Sequence, residues 1–132
     1  MKLSEHITGD VLTVGLAGRL NAAASETLET RLLKTTQDGT RWILLDCSRL
    51  YSMDIVGLRS VLQNSRRLDA LGGALVLCDL RESVQQLFDI SGFDKVCRIL
   101  PSLSAGVKAL TAAAKSSTQA CNEPVESDSP SS

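Results

Sequence analysis

The sequence predicts an α/β fold: a single mixed, mostly parallel β-sheet with covering helices, in the order ββαβαβαβα. Three observations carry this. The runs Trp42-Ile43-Leu44-Leu45 and Ala74-Leu75-Val76-Leu77-Cys78 are apolar throughout, as central parallel strands covered on both faces are. Segments with apolar residues at helical spacing lie before, between and after them. The N-terminal stretch alternates instead, and breaks at Thr8-Gly9-Asp10, which reads as a hairpin.

In chain order, Leu3 to Ile7 and Val11 to Leu16 are the hairpin strands, and Gly18-Arg19-Leu20 is expected to leave the sheet. Asn21 is a good N-cap for a helix from Ala22 to about Thr36, with Ala24, Leu28 and Leu32 as its apolar stripe and Gly39 closing it. Trp42 to Asp46 is the next strand and Cys47 to Met53 a loop. Asp54 then caps a helix from Ile55 to about Leu71, whose buried face is Leu58, Val61, Leu62, Ser65, Leu68 and Leu71. Ala74 to Cys78 is a strand, Glu82 to Ser91 a helix ending at Gly92, Val96 to Leu100 a short strand, and Ser104 to about Ala114 a last helix. Residues 1–114 are thus expected to form one domain. Residues 115–132 hold six Ser, two Pro and almost no large apolar residue. They cannot bury enough surface to offset ordering, and a disordered, acidic tail is expected there.

The 132 residues suffice for one domain with a real core. The net charge of −1 gives no electrostatic case for nucleic acid or an anionic membrane, and 3% aromatics leaves little for base stacking. No apolar run approaches the ~20 residues of a membrane span, so no direct membrane insertion is expected. The four cysteines form no CxxC pair, and the one histidine, His6, is far from them in sequence; no metal or cofactor is expected. Met1-Lys2-Leu3 leads into a mixed segment without a signal-peptide pattern, and a reducing cytoplasmic setting is the expectation.

The start of the helix after Asp54 is the candidate functional end, because sites in α/β sheets form at the carboxyl edge of the strands. Asp46 and Asp54 could pair there for acid–base work, but a strand-end carboxylate and an N-cap account for them more simply. Cys47 as a nucleophile has no nearby base in sequence and reads better as a core-edge thiol. Phosphate binding would need more glycines than Gly57 alone, which suits a close approach of the first helical turn to a strand or a partner. Partner contact remains. Ile55 and Val56, if neither tucks under the sheet, make a small apolar spot with Asp54 and Arg59 beside it.

Five stretches in register resemble one family. Gly18-Arg19-Leu20-Asn21-Ala22 resembles a G-x-L-D/N-A helix entry. Trp42-Ile43-Leu44-Leu45-Asp46-Cys47-Ser48 resembles a hydrophobic strand ending in D-x-S. Met53-Asp54-Ile55-Val56-Gly57-Leu58 resembles an M/I-D-S-S/T-G-L core, and Gly72-Gly73-Ala74-Leu75-Val76-Leu77 resembles G-G-x-L-x-L. Leu87-Phe88-Asp89-Ile90-Ser91-Gly92-Phe93-Asp94 resembles L-F-x-x-S/T-G-L-D. Over residues 3 to 112 the chain resembles a STAS domain of the anti-sigma factor antagonist type.

The resemblance implies a non-enzymatic binding module. Members bind the ATP-binding surface of a GHKL-type anti-sigma kinase and so free a sigma factor. The kinase reverses this by phosphorylating the Ser or Thr after the motif aspartate, and a PP2C-type phosphatase is a further expected partner in the same pathway. It places the partner contact on Asn21, Ser52, Met53, Asp54, Ile55, Val56, Gly57 and Arg59. The chain departs from the pattern where the switch lies: Ile55 stands at the phosphoacceptor position and Val56 follows. A relocated acceptor would have to be Ser52 or Ser60, each also readable as a plain serine. Alternative readings are a STAS subunit bracing an ABC-type phospholipid transporter, a signalling scaffold, or a small enzyme using Asp46, Asp54 or Cys47.

Overall fold

The computed structural model describes residues 2–95 and 97–122, with side chains described to residue 115. Its five strands are β1 (Lys2–Thr8), β2 (Val11–Leu20), β3 (Trp42–Met53), β4 (Ala74–Cys78) and β5 (Arg98–Leu100). Its helices are α1 (Ala22–Gln37), α2 (Ile55–Ala70), α3 (Glu82–Ser91) and α4 (Leu103–Asn122), with one 3-10 turn at Phe93–Lys95. The strands form one sheet in the order β1-β2-β3-β4-β5. β1 is antiparallel to β2, and the other three pairings are parallel. The expected mixed sheet and element order are those observed.

The β1–β2 turn is two residues long, since Thr8 pairs with Val11. Gly9 takes φ 60 there, as a hairpin with glycine at the first turn position requires. From β2 onward every connection carries a helix between parallel neighbours. Right-handed crossovers that all step the same way must place their helices on the same face. Accordingly Leu28, Leu32, Leu58, Val61, Val84 and Phe88 share one core with Leu12, Val14, Leu16, Ile43, Leu45, Leu75 and Leu77. α4 returns over the other face, where Leu110 and Val107 meet Val11, Leu44, Val76 and Cys78. The unbroken apolar runs of β3 and β4 follow from this, because alternate residues feed the two cores. Among the described residues no helix is long and apolar enough to cross a membrane.

Several expected boundaries are corrected. β2 does not leave the sheet at Gly18, and Cys47 to Met53 is not a loop. Ala17, Gly18, Arg19 and Leu20 pair with Arg49, Leu50, Ser52 and Met53, after register shifts at Gly15/Ala17 and Gly18/Arg19. Each shift places an extra residue in β3, as a β-bulge does. The period-2 pattern is broken at each, so the strand continuation reads as irregular chain. Leu71 is not part of the buried face of α2: it caps the helix, and its side chain is 45% exposed. α4 runs to Asn122, past Ala114 and into the segment expected to be a tail. The rest of that segment, and Val96 of the last expected strand, lie outside the described residues.

Candidate functional site

The helix starts of α1, α2 and α3 all lie at the carboxyl edge of β2, β3 and β4, because each crossover leaves its strand there. Two are closed by the side chains read as caps. Asn21 Oδ1 accepts from Ala24 N at 3.0 Å, and Asp54 Oδ1 accepts from Gly57 N at 2.9 Å. Each short side chain satisfies an amide that the helix leaves open three residues on. The two starts are also joined directly, since Asp54 N donates to the carbonyl of Leu20 at 3.1 Å.

Gly57 is buried in that junction. A Cβ at this position would sit 2.5 Å from the Leu20 carbonyl oxygen and 2.8 Å from Leu20 Cγ. The close approach expected of Gly57 is therefore to the end of β2. Gly57→Ala is expected to lower stability by about 1–2 kcal/mol, overpacking outweighing the better helix propensity of alanine. An unchanged urea midpoint would show that the junction has room.

Further along, α1 and α2 are tied by polar groups. Glu29 Oε1 accepts from Asn64 Nδ2 at 3.1 Å and Ser60 Oγ at 3.4 Å, while Glu29 Oε2 pairs with Arg67 at 2.5 Å. Asn64 is 1% exposed and Ser60 7% exposed. A part-buried network this connected ties the two helices to each other. Ser60 is consumed in it and cannot reach a kinase in the folded domain.

The other expected residues are displayed at the edge. Asn21, Ser52, Asp54, Ile55, Val56 and Arg59 are exposed, while Met53 is half-buried against the core. Ile55 is 55% and Val56 44% exposed, so neither tucks under the sheet. Two β-branched apolar side chains stand in solvent at a helix start. Ser52, paired with Arg19 near the end of β3, is the remaining reachable serine of the two considered.

The enzymatic candidates are not brought together. Asp46 does not lie at the carboxyl edge. It sits mid-strand in β3, accepts from Ser48 N at 3.1 Å, and is separated from Asp54 by the seven residues 47–53 of mostly extended chain, roughly 20–25 Å at strand rise. Cys47 is fully buried, and burial first, then the nearby Cys78 and Asp46, push its thiol well above the usual range. Burial likewise pushes Cys78 up to about 12. Thiols held neutral this way are poor nucleophiles. Among the described residues no three His, Cys, Asp or Glu side chains gather as a metal site would need.

Sequence reasoning missed three residues at this edge. Arg81, the N-cap residue of α3, lays its guanidinium 4.3 Å from the ring centroid of Tyr51 and donates from Nε to the Ser48 carbonyl at 3.0 Å. Ser83 Oγ donates to the Tyr51 carbonyl at 3.0 Å. Tyr51, 55% exposed, extends the apolar surface beyond Ile55 and Val56. The one signal available was that Tyr51 is the sole tyrosine of the chain, set in a polar stretch.

A family model described as "STAS domain" matches residues 3–116. The chain belongs to the STAS domain family. Among STAS relatives, a Bordetella bronchiseptica protein assigned as the anti-sigma factor antagonist BtrV is 35% identical over 113 residues, 86% of this chain and 97% of that protein. A Paenibacillus polymyxa anti-sigma F factor antagonist is 32% identical, over 81% of this chain and 89% of that one. The crystal structure of a Thermotoga maritima protein assigned to the same class superposes with a TM-score of 0.78. It covers 83% of this chain and 94% of the other at 18% identity, a likeness of fold. The capped helix start of α2 is thus built on a STAS scaffold.

Proposed function

We propose that this STAS domain is an anti-sigma factor antagonist: a non-enzymatic, cytoplasmic module that binds an anti-sigma factor of the GHKL serine-kinase type through the start of α2. The observation that carries the reading is the pair Ile55 and Val56, both exposed directly after the capping Asp54. Solvated β-branched side chains gain by being covered, at roughly 25 cal/mol per Å² of apolar area removed from water. The assignment of the two sequence relatives as anti-sigma factor antagonists supports the partner class.

Neither residue 55 nor residue 56 has a hydroxyl. A kinase that modifies the residue after the motif aspartate has no acceptor here, and a PP2C-type phosphatase has nothing to remove at that place. Binding is then governed by the amounts of the two proteins and by the nucleotide state of the partner. The burial of Ser60 leaves Ser52 as the competing acceptor.

The test is to mix the chain with the purified anti-sigma factor of the same cell and ATP, then follow complex formation by size exclusion and the chain by intact mass. A stable complex with the mass unchanged is expected. A stoichiometric phosphate on the Ser52 peptide would sink the unswitched reading, and no complex under any nucleotide condition would sink the partner assignment.

A further inference from the structure

Arg81 is an exposed cation whose side chain is nonetheless fixed. Its Nε is committed to the Ser48 carbonyl, its plane lies over the Tyr51 ring, and its own carbonyl accepts from Val84 N at 3.0 Å and Gln85 N at 2.9 Å in the first turn of α3. Ser83, in that same turn, donates to the Tyr51 carbonyl at 3.0 Å. Two elements, β3 and the start of α3, therefore meet at one guanidinium.

A free arginine gives up considerable rotamer freedom when it is bound, and one already pinned gives up less. The pinning also selects what is left to offer. Of five N–H groups, the Nε one is used. Among the described residues no oxygen takes the terminal Nη1 and Nη2 groups, so an end-on pair of parallel donors remains, the geometry that fits a carboxylate in two hydrogen bonds. Around it lie Tyr51 and, along the same edge, Ile55 and Val56, all substantially exposed. An apolar surface of this kind fits a folded protein carrying the carboxylate better than a small free anion, which would leave it wet.

We propose that Arg81, seated on Tyr51, is a specificity-determining anchor that accepts an Asp or Glu carboxylate of the partner protein beside the apolar contact made by Ile55 and Val56. This rests on the reading of the α2 start as the partner surface. It extends that surface across β3 to the start of α3 and states the chemistry the partner must bring.

The test measures affinity for the purified anti-sigma factor, by calorimetry at low and high salt, for the wild type, Arg81→Gln, Arg81→Lys and Tyr51→Ala. Arg81→Gln is expected to weaken binding about ten- to hundredfold, the range for a hydrogen bond to a charged group. Arg81→Lys should restore little of this, since a point charge lacks the fork. Tyr51→Ala should weaken binding and steepen its salt dependence as the guanidinium is released. Urea midpoints of all variants control for folding. Wild-type affinity in Arg81→Gln, with Ile55→Asp still disruptive, overturns the anchor and leaves the α2 surface standing. Full rescue by lysine also overturns it, leaving only a general charge effect. Absence of wild-type binding overturns the partner reading and the anchor together.

Discussion

Ile55→Asp is expected to leave the domain folded and to weaken binding to the anti-sigma factor by at least about thirtyfold, the mark of a hot-spot residue. The two halves of this expectation have different causes. Ile55 is the first residue of α2 and is 55% exposed, so removing it opens no cavity. A carboxylate there meets the positive end of the helix, worth roughly 0.3–1 kcal/mol, and its repulsion from Asp54 works against this in water. The urea midpoint should shift by no more than about 0.5 kcal/mol in free-energy terms. Binding differs because the new charge would have to be desolvated against a surface shaped for an isoleucine, beside a second carboxylate. Calorimetry on the purified pair, with the unfolding curve of the variant alongside, separates the effects. Retained affinity in a folded variant would show that the start of α2 is not in the interface.

Phe88→Ala is expected to produce the largest loss of stability from a single substitution in the helical layer, about 3–5 kcal/mol by urea unfolding. Phe88 is fully buried, the largest such side chain among the described residues, and joins α3 to the core shared with β3 and β4. Against a total stability of about 5–15 kcal/mol for an ordinary domain, this brings the fold near its limit. The effect should also reach function. α3 carries Arg81 and Ser83 in its first turn, and both hold the end of β3. A cavity under α3 frees that turn, so affinity should fall even under conditions where the variant remains folded. A loss below about 1 kcal/mol would mean that the core closes over the missing ring.

Much of the candidate site was legible because its chemistry is local. A short Asx side chain caps the amide three residues on wherever a helix begins, so Asn21 and Asp54 could be placed from sequence with their partners Ala24 and Gly57. The missing hydroxyl at residues 55 and 56 is a matter of composition alone. Exposure was a different matter. Whether Ile55 or Val56 turned inward depended on how α2 is set against the end of β2, and in the fold Gly57 takes the close approach while both side chains stay exposed. The fate of Ser60 likewise depended on Glu29, from the facing helix.

The sequence by itself determined the sheet type, the order of elements, the two-sided burial of β3 and β4 and the helix caps. These follow from periodicity and from side chains acting within three or four residues of themselves. Only the tertiary structure decided the length of β2 and β3, because their carboxyl halves pair through bulges that erase the alternating pattern. It also removed Asp46 from the edge, by making the following residues strand. It set Arg81 on Tyr51 and against Ser48, 33 positions away in the chain. Such a contact exists only once parallel crossovers have brought successive helix starts to one edge, and no local rule of sequence encodes it.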